Sequence, residues 1–331
     1  MAERKKKRRA SLRSALIYLL NLTVLLVIII PCLPLKITSW WLDNLLSLQL
    51  QWALLAIMLL IISIKTAQKG LVFFSLLSFS AVIYQQLAAS SPANRQRETQ
   101  QRLKIAQLNI RYENSNIDKL LLTLSRADYD LLALQEVGDN WQQKIQKLSQ
   151  TYPYSIGTSL ADASPSGLVL FSRWPIVERK IHDLGYTGGH IIEALVQSPE
   201  SGNPVQIFTL HPVSPRNEAL WHLRNAALEY VAQLSAHSLL QYKIIIGDLN
   251  TSPWSAQFTY LQKNSLLSNS SNRFAYIPSW SYSNSNPLLS LLSSAYIDHC
   301  LISSSFQVIS KNYQNIQASD HQLLSTELGM L

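Results

Sequence analysis

Three long runs without charge open the chain. Apolar positions dominate from about Ala15 to Leu35, from about Leu45 to Ile64 and from about Leu71 to Ala89. Each is close to the roughly 20 residues that a helix needs to cross a hydrocarbon core about 30 Å thick. The pattern therefore predicts three transmembrane helices within residues 1–90. Lys36 and Asp43 lie in the first connector, Lys65 and Lys69 in the second, and Trp40 and Trp41 stand where an interfacial aromatic is expected. A cleaved signal peptide explains the first run less well. That run exceeds the roughly 7–15 apolar residues of a signal peptide, lacks a small-x-small exit and is followed by two more.

After a polar stretch, SSPANRQRETQQ, read as a linker over 91–102, the pattern changes. Strand-like runs occur at Leu103–Leu108, Leu131–Gln135, Leu168–Phe171, His190–Gln197, Val205–Leu210, Lys243–Gly247, Ile297–Ile302 and Leu323–Leu328. Helical runs fall between them at Asn116–Ser125 and Trp141–Ser149. Ala219, Leu220, Leu223, Ala227, Val231 and Leu234 recur at three- and four-residue steps, which marks an amphipathic helix. Residues 264–294 are rich in Ser and Asn and read as a long surface loop. Strands and helices interspersed without strict βαβ repetition predict an α+β layered sandwich over 103–331.

Charge separates the two parts. The formal net charge is +8, yet residues 1–90 hold ten Lys/Arg against two Asp/Glu, and residues 91–331 hold eighteen of each. The larger part thus lacks the basic footprint of a strong nonspecific DNA binder. The basic run Arg4–Arg9 sits beside the first apolar run, where its simplest role is topology. Positive-inside logic puts residues 1–13 and the Lys65–Lys69 loop in the cytoplasm, so three crossings leave residue 90 onward on the non-cytoplasmic side. The spans carry no buried acid, base or His of the kind that marks an ion path, so anchoring is the expected role. Two cysteines, Cys32 and Cys300, make neither a disulfide framework nor a four-thiolate metal site.

Candidate chemistry lies where apolar strands end, because a loop leaving a rigid sheet positions a side chain accurately. Asn109, Glu136, His211, Asp248 with Asn250, Asp298, and Asp320 with His321 all occupy such places. Singly, an Asn or Asp after a strand is an ordinary turn residue. A carboxylate after the apolar LLALQ, however, needs a partner or a metal. Together, carboxylates and amide oxygens suit a hard cation such as Mg²⁺, with Mn²⁺ as an alternative. Two His beside it suit a charged oxygen in phosphoryl transfer. The wide spacing does not fit a zinc site. His190, His222, His237 and His299 fall within predicted strands or helices and read as structural. Arg216 and Arg224 read as substrate-contacting or, at least equally, as solvated or salt-bridged.

KIAQLNIR (104–111), DLLALQEV (130–137), TLHPVSP (209–215), IIIGDLNTSPWS (244–255), AYIDHCLIS (295–303) and ASDHQLL (318–324) follow in an order that resembles the endonuclease/exonuclease/phosphatase superfamily. That superfamily includes the deoxyribonuclease I-like nucleases. With three preceding spans, the chain looks like its membrane-anchored bacterial branch. The resemblance implies a four-layer α/β sandwich that hydrolyses phosphodiesters or phosphomonoesters by metal-assisted attack of water. It also implies residence in a bacterial inner membrane. By the same resemblance Glu136 would be the principal Mg²⁺ ligand, with Asn109 beside it and Asp320 completing the metal region. Asp248 would orient or deprotonate the water and Asn250 would hold a phosphate oxygen. His321 would contact the scissile phosphate, oriented by Asp298, and His211 would stabilise the phosphate or protonate the leaving oxygen. Ser166-Gly167 resembles the superfamily's S-G segment and would serve strand entry.

The expected partners are the lipid bilayer and a phosphate-ester substrate: a lipid headgroup, a nucleic acid or a small phosphodiester. A DNA or RNA nuclease is the nearest alternative, and a non-catalytic membrane-anchored binding protein the second. Sequence is silent on oligomeric state.

Overall fold

In a computed structural model of the protein, the described residues are 2–29, 39–66, 68–88, 99, 101–138, 141, 144–157, 167–185, 189–271, 278–282 and 286–331. Four helices come first: α1 (Ala2–Ile29), α2 (Trp40–Leu46), α3 (Gln49–Thr66) and α4 (Lys69–Ala88). Helices α1, α3 and α4 share a core of Ile17, Val24, Ile28, Ala56, Leu59, Leu71 and Val82. Its polar contacts are inward. Ser63 Oγ lies 2.9 Å from Ser75 Oγ, and Ser78 Oγ donates to Asn21 Oδ1 at 3.1 Å, all buried. Leu16, Leu19, Leu22, Ile57, Ile61, Phe73 and Leu77 face outward. Apolar residues outside and small polar ones inside is the distribution expected of helices packed in lipid.

Two of the three expected spans stand out among the described residues. Two stretches, Ser11–Ile29 and Gln49–Thr66, are long and apolar enough to cross a membrane. The third, in α4, is apolar over Lys69–Tyr84 among the described residues. Residues 30–35 of the first predicted span and 91–98 of the predicted linker lie outside the described residues.

The rest of the chain continues with β1 (Gln101–Asn109), α5 (Ile117–Arg126), β2 (Leu131–Gln135), β3 (Tyr154–Ile156), β4 (Val169–Ser172), β5 (Ile176–Asp183), β6 (His190–Gln197) and β7 (Pro204–Leu210). Then come α6 (Glu218–His237), β8 (Tyr242–Asp248), α7 (Ala256–Ser265), β9 (Ser268–Asn269), β10 (Trp280–Ser281), α8 (Pro287–Leu292) and β11 (Ser294–Ala295). The chain closes with β12 (Asp298–Ile302), β13 (Phe306–Asn315) and β14 (Gln322–Met330). One six-stranded sheet has the order β13-β14-β1-β2-β4-β3 and the other β5-β6-β7-β8-β12-β9. Their facing sides make the central core, in which Ile105, Leu131, Ala133 and Leu170 meet Ala194, Ile207, Ile244 and Ile246. Helix α5 covers the outer face of the first sheet through Leu120, Leu121 and Leu124. Helices α6 and α7 cover the second through Leu228, Val231, Phe258 and Leu261. This is the expected four-layer α+β sandwich: helix, sheet, sheet, helix.

Several elements depart from the sequence pattern. Strand β1 starts at Gln101, two residues early, because β14 pairs with it from Gln101↔Met330 onward and supplies the ladder bonds to polar residues. Strand β5 alternates weakly, with Glu178 to Lys180 exposed, yet pairs with β6 along its length. The Ser/Asn-rich 264–294 is not one loop. It carries β9, β10, α8 and β11, while 272–277 and 283–285 lie outside the described residues. Of the predicted helix Trp141–Ser149, the described part ends in a 3₁₀ turn at Gln146–Gln150.

Candidate active site

Topology brings the strand ends together. Strands β1 and β2 are parallel with Asn109 opposite Gln135, so Asn109 and Glu136 leave the sheet side by side. Strand β14 is antiparallel to β1 and starts at Gln322, which places His321 at that same edge. In the second sheet β7 and β8 are parallel, so His211 and Asp248 leave together. Strand β12 runs antiparallel to β8 with Asp298 directly opposite Asp248. Two backbone features permit the crowding. Gly247 passes so close to Leu210 that a Cβ there would lie 2.2 Å from its carbonyl oxygen. Gly167, at φ +62°, lies against the Glu136–Val137 peptide, where a Cβ would meet Val137 N at 2.6 Å. Gly167 is therefore part of the support of the Glu136 loop. Ser166 lies outside the described residues. Glu136 and Asn250 themselves have positive φ, 60° and 48°, a conformation that persists only where surrounding contacts hold it.

Asp248 Oδ2 is the hub. Asn109 Nδ2 lies 3.2 Å from it, His211 Nε2 3.4 Å and His321 Nε2 3.6 Å. The same Asn109 amide donates to Glu136 Oε1 at 2.9 Å, and His211 Nε2 stands 3.9 Å from that oxygen. Glu136 Oε2 accepts the backbone N–H of Tyr112 at 3.1 Å. Asp248 Oδ1 accepts the backbone N–H of Asn250 at 3.0 Å, and Asn250 Nδ2 donates to the Pro212 carbonyl beside His211, also at 3.0 Å. On its far side, His321 Nδ1 meets Asp298 Oδ2 at 2.9 Å, and Asp298 is fully buried. An Asp behind a His fixes the tautomer and stabilises the imidazolium.

Electrostatics follow from this packing. Burial opposes charge on His321, but Asp298 and then Asp248 outweigh it and raise its pKa to about 10. His211 is also raised. Burial opposes its charge as well, and the hydrogen bond and charge of Asp248, with Glu136, prevail. Asp248 is buried, yet the two His and the Asn250 N–H bring it down to about 2. Burial moves Asp298 the other way, upward, despite His321. At neutral pH the site presents the His321 imidazolium beside an ionised Asp248, with His211 biased toward its charged form by the same carboxylate.

Seven of the eight expected residues thus converge. Asp320 is the exception: its carboxylate accepts Trp280 Nε1 at 2.9 Å, and it reaches the cluster only by adding to the field that charges His321. Asp248, Asp298 and His321 present ligand atoms within 4.8 Å of one another and could hold a metal ion. In that trio, however, His321 already engages a carboxylate with each ring nitrogen. Glu136, Asn109 and the near oxygen of Asp248 offer hard oxygen donors on the open side, with Glu136 partly exposed, and fit a divalent cation better. Asn109 would turn its amide oxygen, which now accepts the Arg111 N–H at 3.0 Å, toward the ion.

The sequence pattern missed the supporting polar residues. Gln107 Nε2 donates to Asp298 Oδ1 at 2.7 Å, and Ser279 Oγ accepts the Asp298 N–H at 3.0 Å. Ser319 Oγ accepts the His321 N–H at 3.0 Å and donates to the Asn109 carbonyl at 2.8 Å. Gln107 left one signal, a polar residue inside an apolar strand that must find a partner when buried. His299 is structural, as expected. Its Nε2 meets the Thr251 carbonyl at 2.7 Å, and burial drives its pKa down to about 3.

A two-sheet sandwich with an Asp–His pair and a carboxylate hub at one edge has the groups needed to align water and neutralise an anionic ester. Residues 106–321 match the model of the endonuclease/exonuclease/phosphatase family, and the chain belongs to that family of phosphoric ester hydrolases. Among solved structures, the family protein of Bacteroides vulgatus is 14% identical with a TM-score of 0.57, the alignment covering 70% of this chain and 100% of that one. TDP2 of D. rerio, solved with a single-strand DNA product, is 15% identical at 0.56, covering 69% and 99%. Sphingomyelinase C of Streptomyces griseocarneus is 15% identical at 0.51, covering 70% and 100%. No curated protein matches the chain in sequence.

Proposed function

We propose that the protein is a membrane-tethered, Mg²⁺-dependent phosphoesterase that cleaves phosphodiester or phosphomonoester bonds by direct attack of water. The observation that carries this reading is the convergence on Asp248 Oδ2 of Asn109, His211 and an Asp298-backed His321. An anionic phosphate needs positive charge around its developing oxygens, and the His321 imidazolium, fixed in a largely buried site beside a His211 biased toward charge, supplies it without reorganisation. Asp248, ionised above pH of about 2, accepts a hydrogen bond from the attacking water and aligns it. Asn250 presents its side chain to a phosphate oxygen, and His211 delivers a proton to the leaving oxygen. Glu136 and Asn109 would hold Mg²⁺, which when bound polarises the phosphoryl group. Asp320 serves through its charge on His321, held by Trp280.

Membrane attachment is supported by the inverted polarity of the helical bundle. Ser14, early in α1, hydrogen-bonds Gln68 at the α3–α4 turn, while Val27, late in α1, packs with Trp254 and Tyr296 of the catalytic domain. That polarity supports α4 as a third crossing. With Arg4–Arg9, Lys65 and Lys69 at the end remote from the catalytic domain, it favours a catalytic domain on the non-cytoplasmic side of a bacterial inner membrane. The absence of net charge over 91–331 and the tether favour a lipid headgroup or other membrane-proximal phosphate over duplex DNA.

The test uses the full chain in nanodiscs, with Mg²⁺ or EDTA, and its Glu136→Gln and His321→Ala variants. Substrates are bis(p-nitrophenyl) phosphate, single- and double-stranded DNA, RNA and phospholipid. Chelator-sensitive turnover that both variants lose is the expected result, with phospholipid preferred. Preference for nucleic acid moves the assignment to a nuclease. A folded, metal-binding chain without turnover on any substrate overturns the catalytic reading.

A further inference from the structure

Arg224 lies in the first half of α6 and is 1% exposed. A buried guanidinium needs a full set of partners, and this one finds its counter-charge 181 residues away, outside the catalytic domain. Its Nη2 donates to Oδ2 of Asp43, which sits in α2, the short helix between the first two long apolar helices. Asp43 is itself 4% exposed, and the same oxygen accepts Trp221 Nε1 at 2.8 Å. Next to it, Asn44 Nδ2 donates to the Pro215 carbonyl at 2.8 Å, and Leu46 packs with Trp254 and Tyr296. Helix α2 is thus seated on the catalytic domain by a buried ion pair and an apolar contact.

The other arm of Arg224 points at the chemistry. Nη1 donates to the carbonyl of Asn250 at 2.8 Å. Asn250 has φ 48°, its N–H is given to Asp248, and its side chain bonds the carbonyl of Pro212, next to His211. Asn250 therefore ties Asp248 to the segment beside His211, in a conformation that relaxes unless held. Arg224 holds it by the carbonyl, and Asp43 holds Arg224.

We propose that Asp43 and Arg224 are positioning residues for hydrolysis, and that the membrane connector completes the active-site loop through them. Catalysis is then coupled to seating of α2 on the catalytic domain, and a chain with α2 displaced has a loosened Asp248–Asn250 turn. The inference rests on the reading above that Asp248 and Asn250 act on the phosphate.

The test uses the full chain in nanodiscs with Mg²⁺ and bis(p-nitrophenyl) phosphate. Asp43→Asn keeps the shape and an acceptor for Trp221 but removes the charge. Arg224→Gln removes the clamp. Arg224→Lys offers a single ammonium that cannot span both partners. The expected result is a fall in kcat of about tenfold for Asp43→Asn and more for Arg224→Gln, with KM changed less than about threefold and partial recovery in Arg224→Lys. In an Asn250→Ala background, Asp43→Asn adds less than about twofold, because the clamp acts by placing the Asn250 side chain, which that background has lost. Hydrogen exchange of the 248–252 amides gives a readout that needs no turnover, and Asp43→Asn speeds it. The proposal is overturned by any of three results in variants that melt as wild type does: unchanged kcat, a loss fully additive with Asn250→Ala, or unchanged exchange over 248–252. Faster exchange in Asp43→Asn, in a chain whose wild type shows no Mg²⁺-dependent turnover, would retain the clamp and reject the catalytic reading.

Discussion

Replacing Asp298 by Asn isolates what the Asp–His pair contributes. In the folded site His321 is raised from 6.5 to about 10, with Asp298 the largest favourable contribution. At about 1.4 kcal/mol per tenfold change in proton affinity, the site favours the imidazolium by about 5 kcal/mol. His321 is only 5% exposed, so water screens little of this. The substituted carboxamide would keep an oxygen for Gln107 Nε2, which donates to Oδ1 at 2.7 Å in the native site. Its amide N–H would then face His321 Nδ1, which must accept and hold the ring neutral. Burial opposes charge on that ring, and Asp248 becomes the main charge left to offset it. The expected outcome is a basic limb of the kcat/KM–pH profile that moves from above pH of about 9 to near neutrality, with a loss of about 10–100-fold at pH 8. The assay is hydrolysis of bis(p-nitrophenyl) phosphate between pH 6 and 10.5, with a melting curve as the control for folding. A folded variant whose basic limb stays at the wild-type position refutes the role of His321 as a cation held by Asp298.

Stability should show a matching pH window. His321 has a raised folded pKa, so its contribution is complete below 6.5 and lost as pH rises through about 10. Asp248 has a lowered one, so its contribution is complete above 3.8 and lost as pH falls through about 2. Asp298, raised by burial, offsets part of this above 3.8. His299, lowered to about 3 by burial, works against the fold as pH falls from 6.5 toward 3, because only the unfolded chain takes up its proton there. Denaturant midpoints should therefore peak near pH of about 6.5 and fall on either side, and a monotonic rise to pH 10 would contradict the charge assignment. Gly167→Ala forces a Cβ to within 2.6 Å of Val137 N at φ +62°. It should cost about 2–4 kcal/mol and depress turnover by moving Glu136, whereas a wild-type melting curve would show the loop adapts freely. A reporter fused to the carboxyl terminus and active only outside the cytoplasm is expected from three crossings, and activity only inside would leave two.

How much of this the sequence disclosed depended on where the determining contact lies along the chain. Asn109, Glu136, His211, Asp248, Asp298 and His321 were legible because each directly follows or precedes an apolar run that local pattern identifies as a strand. Strands β5 and β13 were not, because Glu178, Arg179 and Lys180, and Ser310, Lys311 and Asn312, lie on the outermost strands of the sheets, where cross-strand pairing rather than an apolar run shapes them. Gln107 and Ser279 were illegible for another reason. Their significance lies in which buried carboxylate they meet, and Asp298 is 191 and 19 residues away from them. Arg224 is the sharpest case. Its sequence neighbourhood offered a substrate contact or a surface salt bridge. What it makes is a buried pair with Asp43, a residue whose own surroundings read only as a loop between membrane helices. A polar residue at a strand end declares its place through the strand. A buried ion pair between two segments that fold separately declares nothing until both are seated. That is why the strand-end residues of the candidate site could be picked out in advance, while the connection of that edge to helix α2 required the assembled structure.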